Sequence, residues 1–371
     1  MKFSNLTLKP RPRHLVLLVL FATVTMFKMM AGWGDVYTHS IYPIIGRCLS
    51  AVSGLLPFAL GDVFIALSIL WVVGYPVYSI CYRKRRKKPT FCRVAEYLAW
   101  VYVWFYATWG LNYSQSNIYR RIGMRPAEAS ANSFKHFAND YADSLNAAYA
   151  KAGNAAYANS SLAYADIKRR SRLSTWQGYS QLEHMGINKP FNPDAHAKTM
   201  LFSTLSSMAG ITGSMAPFFG EFTLNADIRP HQYPAIYAHE YAHQLGIANE
   251  GEANFYSYIV CTSSTDGAVR FSGYYHILPH VLGNAYNLLS EKEYEAYLKR
   301  INPAIISLAK SDRQYWLARH SRIVDETQNF FYNLYLKGNR VEGGTKSYSG
   351  VIGIIMAWEN RTANSISHRS K

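Results

Sequence analysis

The spacing of apolar positions divides the chain. The first third carries continuous apolar runs, and the remainder carries amphipathic ones. Leu15 to Ala31, Val63 to Cys81 and Val94 to Leu111 are each about long enough to predict a membrane-spanning helix. Ile41 to Leu60 is also apolar, but Pro43, Gly46, Arg47, Gly54 and Pro57 interrupt it. It predicts an interfacial helix or a re-entrant packing element on the outer side. Beyond residue 112 the pattern changes. Between Ala127 and Ala152, Phe134, Phe137, Tyr141, Leu145 and Tyr149 fall at helical spacing and predict a helix with a core-facing stripe. Asn154 to Ala165 is alanine-rich and reads as a further helix or a loop, and Asn188 to Asp194, with two prolines, as a loop. Met200 to Met215 reads as packed loop or short strand, and Glu221 to Asn225 alternates as a strand does. Ser290 to Leu308 and Asp312 to Leu336 predict two more helices, and Val351 to Trp358 is apolar but too short to cross a bilayer. The expected fold is mainly α: three transmembrane helices in residues 1–112, then a predominantly helical domain over 113–371 with a small β element.

Charge sets the expected orientation. The net charge of +16 invites a nucleic-acid reading, but its distribution opposes one. Residues 1–112 hold 13 of the 39 Lys/Arg and three of the 23 acids, so the rest of the chain is close to balanced. The excess sits in two clusters beside apolar runs, Lys2 to Arg13 and Arg83 to Arg93. That is topology signalling, with both clusters cytoplasmic, the N-terminus inside and residues 113–371 outside. Lys28 and Glu96, the charged residues of the three runs, lie near the ends and offer no intramembrane ion path. Aromatics make up 15% of the chain, led by 29 Tyr, which suits a membrane-associated protein. Cys48, Cys81, Cys92 and Cys261 show no Cys-x-x-Cys spacing, so neither a disulfide framework nor a cysteine zinc site is indicated.

The candidate chemistry lies in one stretch. His239-Glu240-x-x-His243 places two imidazoles four residues apart, on one face of a helix, where both can bind one Zn²⁺. Glu240 points to the side of the pair, within reach of a water activated by the metal, as general base. Gly246 predicts the helix stop, and Glu250 to Tyr258 a second helix. A third ligand should come from that helix. Glu250 and Glu252 lie about 200° apart around it, so only one can face the metal. Glu250 is the choice, because it shares its face with Ala253 and Asn254, a small residue for close packing and an amide to support the ligands. Tyr274, Arg270, His276 and His280 follow as candidates for stabilising an oxyanion. His231, just upstream, reads as a loop residue.

His239-Glu240-x-x-His243 followed by Glu250-x-x-Ala253-Asn254 resembles the gluzincin metallopeptidases. In them the second helix carries Glu-x-x-Ala-Asp or Glu-x-x-Ala-Asn and its first Glu is the third ligand, which implies that role for Glu250. The gap from His243 to Glu250 is shorter than in most gluzincins. The Gly246 spacing resembles metzincins instead, but their third ligand would fall on Asn249, a poor zinc ligand. A wider stretch resembles a family of uncharacterised bacterial membrane proteins with this motif. The pieces are Pro217-Phe218-x-Gly220-Glu221, His239 to Phe255, Ser272-Gly273-Tyr274, Tyr335-Leu336-Lys337-x-Asn339 and Ser347-Tyr348. That resemblance favours Tyr274 among the oxyanion candidates. The domain over 113–371 is therefore expected to be zincin-like, and Glu221 to Asn225 to be the edge strand that zincins use to hold an extended peptide.

The expected function is a zinc-dependent peptidase anchored in the bacterial inner membrane, with its catalytic domain on the periplasmic or extracellular side. It would act on peptide or protein substrates of the cell envelope. A catalytically inactive metal-binding scaffold or sensor is the alternative. Glu240 argues against it, because a purely structural zinc site has no use for a base beside the metal.

Overall fold

The computed structural model describes residues 11–30, 32–127, 130–153, 161–191, 197–322, 324 and 350–369. The expected pieces Tyr335 to Asn339 and Ser347-Tyr348, and most of the helix predicted to reach Leu336, lie outside the described residues. The protein is mainly helical with one small sheet, as the apolar periodicity predicts.

Helices α1 (Pro12–Met29), α4 (Leu60–Val77) and α5 (Lys87–Thr108) form a bundle. Short α2 (Trp33–Val36) and α3 (Tyr42–Gly54) lie between the first two. α1 runs parallel to α5. Arg13 meets Glu96 at 2.8 Å, Phe21 meets Tyr102 at 5.1 Å between centroids, and Lys28 Nζ donates to Tyr106 OH at 2.7 Å. α4 runs antiparallel to α5, with Trp71 against Tyr97 and Arg93 donating to Tyr75 OH. Among the described residues two helices are long and apolar enough to cross a membrane, not the expected three: Pro12–Met29 with mean hydropathy 1.4 and Leu60–Tyr82 with 2.0. α5 misses because Lys87, Lys88, Arg93 and Glu96 lie within it, and because Tyr97, Trp100, Tyr102, Trp104 and Tyr106 carry polar tips on apolar rings.

The interrupted stretch from Ile41 to Leu60 contains α3, which packs on the sheet. It buries Tyr42, Gly46, Ser50 and Ser53 along one side, while Ile44 and Val52 remain exposed.

Five helices make the core of the second half: α7 (Ala131–Ala152), α8 (Ser161–Ser180), α10 (Tyr233–Gln244), α11 (Glu250–Thr262) and α12 (Gly267–Leu288). They follow short α6 (Ile118–Arg121), with α9 (Ser203–Met208) between α8 and α10. α13 (Glu291–Arg300) and α14 (Pro303–Leu317) complete the run, and α15 (Gly350–Arg369) covers α11 and α12. The apolar stretch from Val351 is the buried stripe of α15, with Val351, Ile352 and Ile355 in the core. Many tyrosines serve this core. Their rings are buried and their hydroxyls reach backbone carbonyls, as in Tyr179 to Ala238 O at 2.8 Å and Tyr256 to Met185 O at 2.6 Å.

The sheet has the order β1 (Lys198–Thr199), β3 (Glu221–Leu224), β2 (Gly213–Ala216). β1 is parallel to β3 and β2 is antiparallel to it, with Ser214 opposite Thr223. This corrects the expectation for Glu221 to Asn225. β3 is paired on both sides and buried throughout, so it has no free edge for a peptide. The edge strand beside α10 is β2.

Candidate metal centre

α10 begins with Pro234 in its first turn, where a missing N–H costs nothing. It ends at Gln244, and Gly246 at φ +96° turns the chain in a conformation that L side chains rarely adopt. Asn249, the position a metzincin would use, instead caps α11 by accepting from Glu252 N at 3.1 Å. α10 and α11 pack closely: Ala235, Ala242 and Ala253 are fully buried, and Ser257 Oγ reaches Ala235 O at 2.7 Å.

This hairpin brings His239, His243 and Glu250 together. The two Nε2 atoms are 3.1 Å apart, and Glu250 Oε2 lies 3.1 Å from that of His239 and 3.4 Å from that of His243. Tetrahedral ligands at zinc bond lengths of about 2.0–2.1 Å stand about 3.3–3.4 Å from one another. The triangle therefore fits such an ion without rearrangement. His243 Nδ1 donates to Ile247 O at 2.6 Å, since a carbonyl can only accept. That bond fixes the tautomer and leaves the Nε2 lone pair of a neutral His243 facing the triangle. His239 Nδ1 is buried with no hydrogen-bond partner among the described residues, so that ring's described polar contacts are all through Nε2.

The charges match a cation site. Burial opposes ionisation of Glu250, yet the two imidazoles hold its carboxyl well below the usual carboxylate range. Burial would lower His243, but Glu250 outweighs it and pushes the imidazole up to about 9. Near neutral pH a proton on His243 thus balances Glu250. A metal must displace it, so zinc uptake at pH 7 is expected to release about one proton. Apparent affinity should rise about tenfold per pH unit and level off above pH 9. Calorimetry in buffers of different ionisation enthalpy checks the proton count, and a pH-independent affinity would contradict it. The His243 contribution to the stability of the metal-free protein has the opposite sign. Its folded pKa is raised, so the contribution is full below about pH 6.5 and lost as pH rises through about 9.

Glu240 is buried beside the triangle, 6% exposed. Burial raises its pKa, and His239 and His243 pull against that rise. β2 passes directly over it: a Cβ on Gly213 would lie 2.3 Å from Glu240 Oε1, so a larger residue there would displace the Glu240 carboxylate.

Glu252 points elsewhere. Its carboxylate accepts from Ile118 N at 2.9 Å and pairs with Arg121 at 2.5 Å, both side chains almost wholly buried. Glu252 thus anchors α6, and Glu250 is the carboxylate at the triangle. Breaking one member of a buried pair costs about 3–5 kcal/mol. Glu252→Gln is therefore expected to lower the melting temperature strongly while the folded fraction takes up added zinc as the wild type does. Zinc lost without a change in melting temperature would reverse the two assignments.

Asn254 accepts from His276 Nε2 at 3.0 Å, and the His276 ring lies 6.0 Å from that of His239. His276 is pushed down to about 3 by burial and by His239, and His280 is also lowered, so both are neutral beside the site. Tyr274 faces the other way. Its ring packs against Tyr141 and Tyr258, and none of its described contacts reaches the triangle. Its neighbours explain the Ser-Gly-Tyr piece structurally. Ser272 Oγ accepts from Ala235 N at the start of α10, and a Cβ on Gly273 would lie 2.6 Å from Cys261 Cβ. His231 is a core residue, bonded to Asp312 at 2.7 Å.

The last carbonyls of α10 and its turn would be short of partners, as at any helix end. Four consecutive ones receive side-chain donors. Trp109 Nε1 reaches His243 O at 2.9 Å, Tyr42 OH reaches Gln244 O at 2.6 Å, Asn188 Nδ2 reaches Leu245 O at 2.8 Å and Gln115 Nε2 reaches Gly246 O at 2.6 Å. Three of the four donors come from residues 42–115, next to the bundle. Sequence patterning gave no hint of them.

Comparison with curated proteins and with solved structures found no match. Residues 37–356, from the turn before α3 to within α15, match the model of a family described as Protein of unknown function (DUF3810), and the chain belongs to that family.

Proposed function

We propose that the protein is a membrane-anchored zinc-dependent peptidase. The observation that carries this reading is the triangle of His239, His243 and Glu250 with the Glu240 carboxylate beside it. Three protein ligands leave one tetrahedral position open, which is the pattern of catalytic rather than structural zinc. The triangle is partly exposed, with Glu250 at 19%, so a substrate can approach. Bound zinc would supply Lewis-acid polarisation of a peptide carbonyl and a lowered pKa for water. Glu240 takes the proton from the attacking water and returns it to the leaving amine. Neutral His276 spends its one N–H on Asn254, so it lines the site beside His239 as a fixed, uncharged wall. β2 offers its outer edge to an extended peptide, so main-chain pairing gives affinity with little demand on sequence.

The bundle supports a topology in which α1 leaves the cytoplasm, α4 returns and α5 leaves again. Both basic clusters then lie inside, and residues 113–371 lie outside. α5 is tolerable there because Lys87 and Lys88 sit in its first turn at the cytoplasmic end, Glu96 pairs with Arg13 and Arg93 donates to Tyr75 OH.

The test uses the full chain purified in lipid nanodiscs. About one Zn²⁺ per chain is expected, lost in His239→Ala, His243→Ala and Glu250→Ala. Cleavage of an envelope-derived peptide pool should stop on chelation and return with zinc. A chain that holds no zinc, or holds it and cleaves nothing across a broad library, sinks the reading.

A further inference from the structure

We infer that the metal centre lies at the outer surface of the bilayer, and that its substrates are chain segments next to a membrane anchor; the substrate half of this rests on the peptidase reading. Three contacts fix the height of the site. Trp109 directly follows α5, and its ring lies 6.4 Å from the His243 imidazole whose carbonyl it caps. Phe64, in the second turn of α4, packs on Phe218 and Phe219 in the β2–β3 turn at 4.8 and 5.7 Å. Asp62, in the first turn of α4, accepts from Leu201 N at 2.8 Å, just before α9. The last turn of α10 and two loops of the sheet thus rest on the outer ends of α4 and α5.

An apolar patch surrounds the same level. Leu201, Phe202 and Leu205 are 48%, 50% and 55% exposed, and Leu55 and Phe58 before α4 are 82% and 40% exposed. The patch continues into the exposed apolar side of α4 at Ile65 and Leu67. In water such a surface is a liability, and beside a spanning helix its natural occupant is the outer leaflet. The bond from Leu201 to Asp62 places the patch at the mouth of α4. α9 then leads into β2. Gly213, over Glu240, is eight residues from Leu205, a distance of at most about 29 Å. A chain emerging from the bilayer reaches the site within about eight extended residues. A segment far from any anchor gains nothing from this placement.

Two measurements test the inference. In the first, Cys48, Cys81 and Cys92 are replaced by Ser, and nitroxides are attached to Phe202→Cys, Leu205→Cys, Leu67→Cys and Leu162→Cys of the full chain in phosphatidylethanolamine–phosphatidylglycerol vesicles. Positions 202 and 205 should collide with oxygen more than with a water-soluble nickel chelate, as 67 does and as 162 on α8 does not. If 202 and 205 behave as 162 does, or are shielded from both reagents by a protein partner, the lipid contact is overturned. In the second, a random peptide library is presented to vesicles holding the protein, on a palmitoyl anchor with spacers of five or thirty residues, or with no anchor. The short spacer should be cleaved at least tenfold faster than either alternative. Equal rates overturn the substrate inference and leave the peptidase reading standing. No cleavage of any library removes both, while the nitroxides still decide the placement.

Discussion

Glu240→Gln is expected to keep its zinc and lose two to four orders of magnitude in turnover. A positioned general base contributes typically about 10²–10⁴-fold. The triangle is formed by His239, His243 and Glu250, and the change touches none of them. Gln has the size of Glu and removes only the ability to take a proton. Stability should not suffer. Burial already disfavours the ionised Glu240, so a neutral amide in the same place is tolerated as well or better. The expected record is unchanged zinc by mass spectrometry, an equal or higher melting temperature and a lost kcat with little change in KM. Substrate should accumulate uncleaved and be recoverable by crosslinking. If turnover survives, Glu240 is not the base. If zinc is lost with it, Glu240 is a ligand and the triangle has been assigned wrongly.

The parts of the site legible in the sequence are those set by local chain geometry. Two histidines four apart share a helix face whatever surrounds them. Gly246 and Asn249 carry their stop and cap signals in their own chemistry. Helical phase separates Glu250 from Glu252, which lie about 200° apart, and the structure brings Glu250 to the two histidines and turns Glu252 to Arg121. The same rule separates Tyr274 from His276, also two residues apart on one helix. There the choice followed a resemblance instead, and the structure turns Tyr274 to the core and His276 to the site. Non-local pairing was not legible. Nothing in Glu221 to Leu224 says that it is flanked on both sides, and Gly213-Ser-Met-Ala216 lacks the alternation that marks a strand. Trp109 and Tyr42 read as membrane aromatics because they sit in apolar runs. Their work at the end of α10 depends on a fold that brings residues more than a hundred positions apart into contact.

Removing residues 1–112 is expected to cost the remainder its metal site, and in all but the mildest conditions its fold. The chain change at residue 113 marks where apolar runs stop, but the packing ignores it. Truncation deletes the Trp109 and Tyr42 caps on α10, which takes the donor from Gln244 O and leaves His243 O with the Gly246 N–H. It takes Gly61 N and Ser53 O from the buried Glu221–Lys198 pair. It uncovers the surface on which the buried rings of Tyr42 and Trp109 rest. Each lost partner of a buried polar group costs about 1–3 kcal/mol, and each large side chain returned to water about 1.5–3 kcal/mol. The total is on the order of ten kcal/mol, comparable with the whole stability of a domain at about 5–15 kcal/mol. Residues 113–371 expressed alone should therefore bind much less than one zinc per chain and show no cooperative melt near that of the full protein. Tyr42→Phe in the full chain isolates one term. It keeps the ring and removes the hydroxyl, so the protein should fold and hold zinc but melt lower, by about 1–3 kcal/mol. If residues 113–371 alone bind one zinc and melt as the full chain does, the anchor is only a tether. If they do not, the α10–α11 hairpin is held in its zinc-binding shape by the segments packed against the membrane bundle.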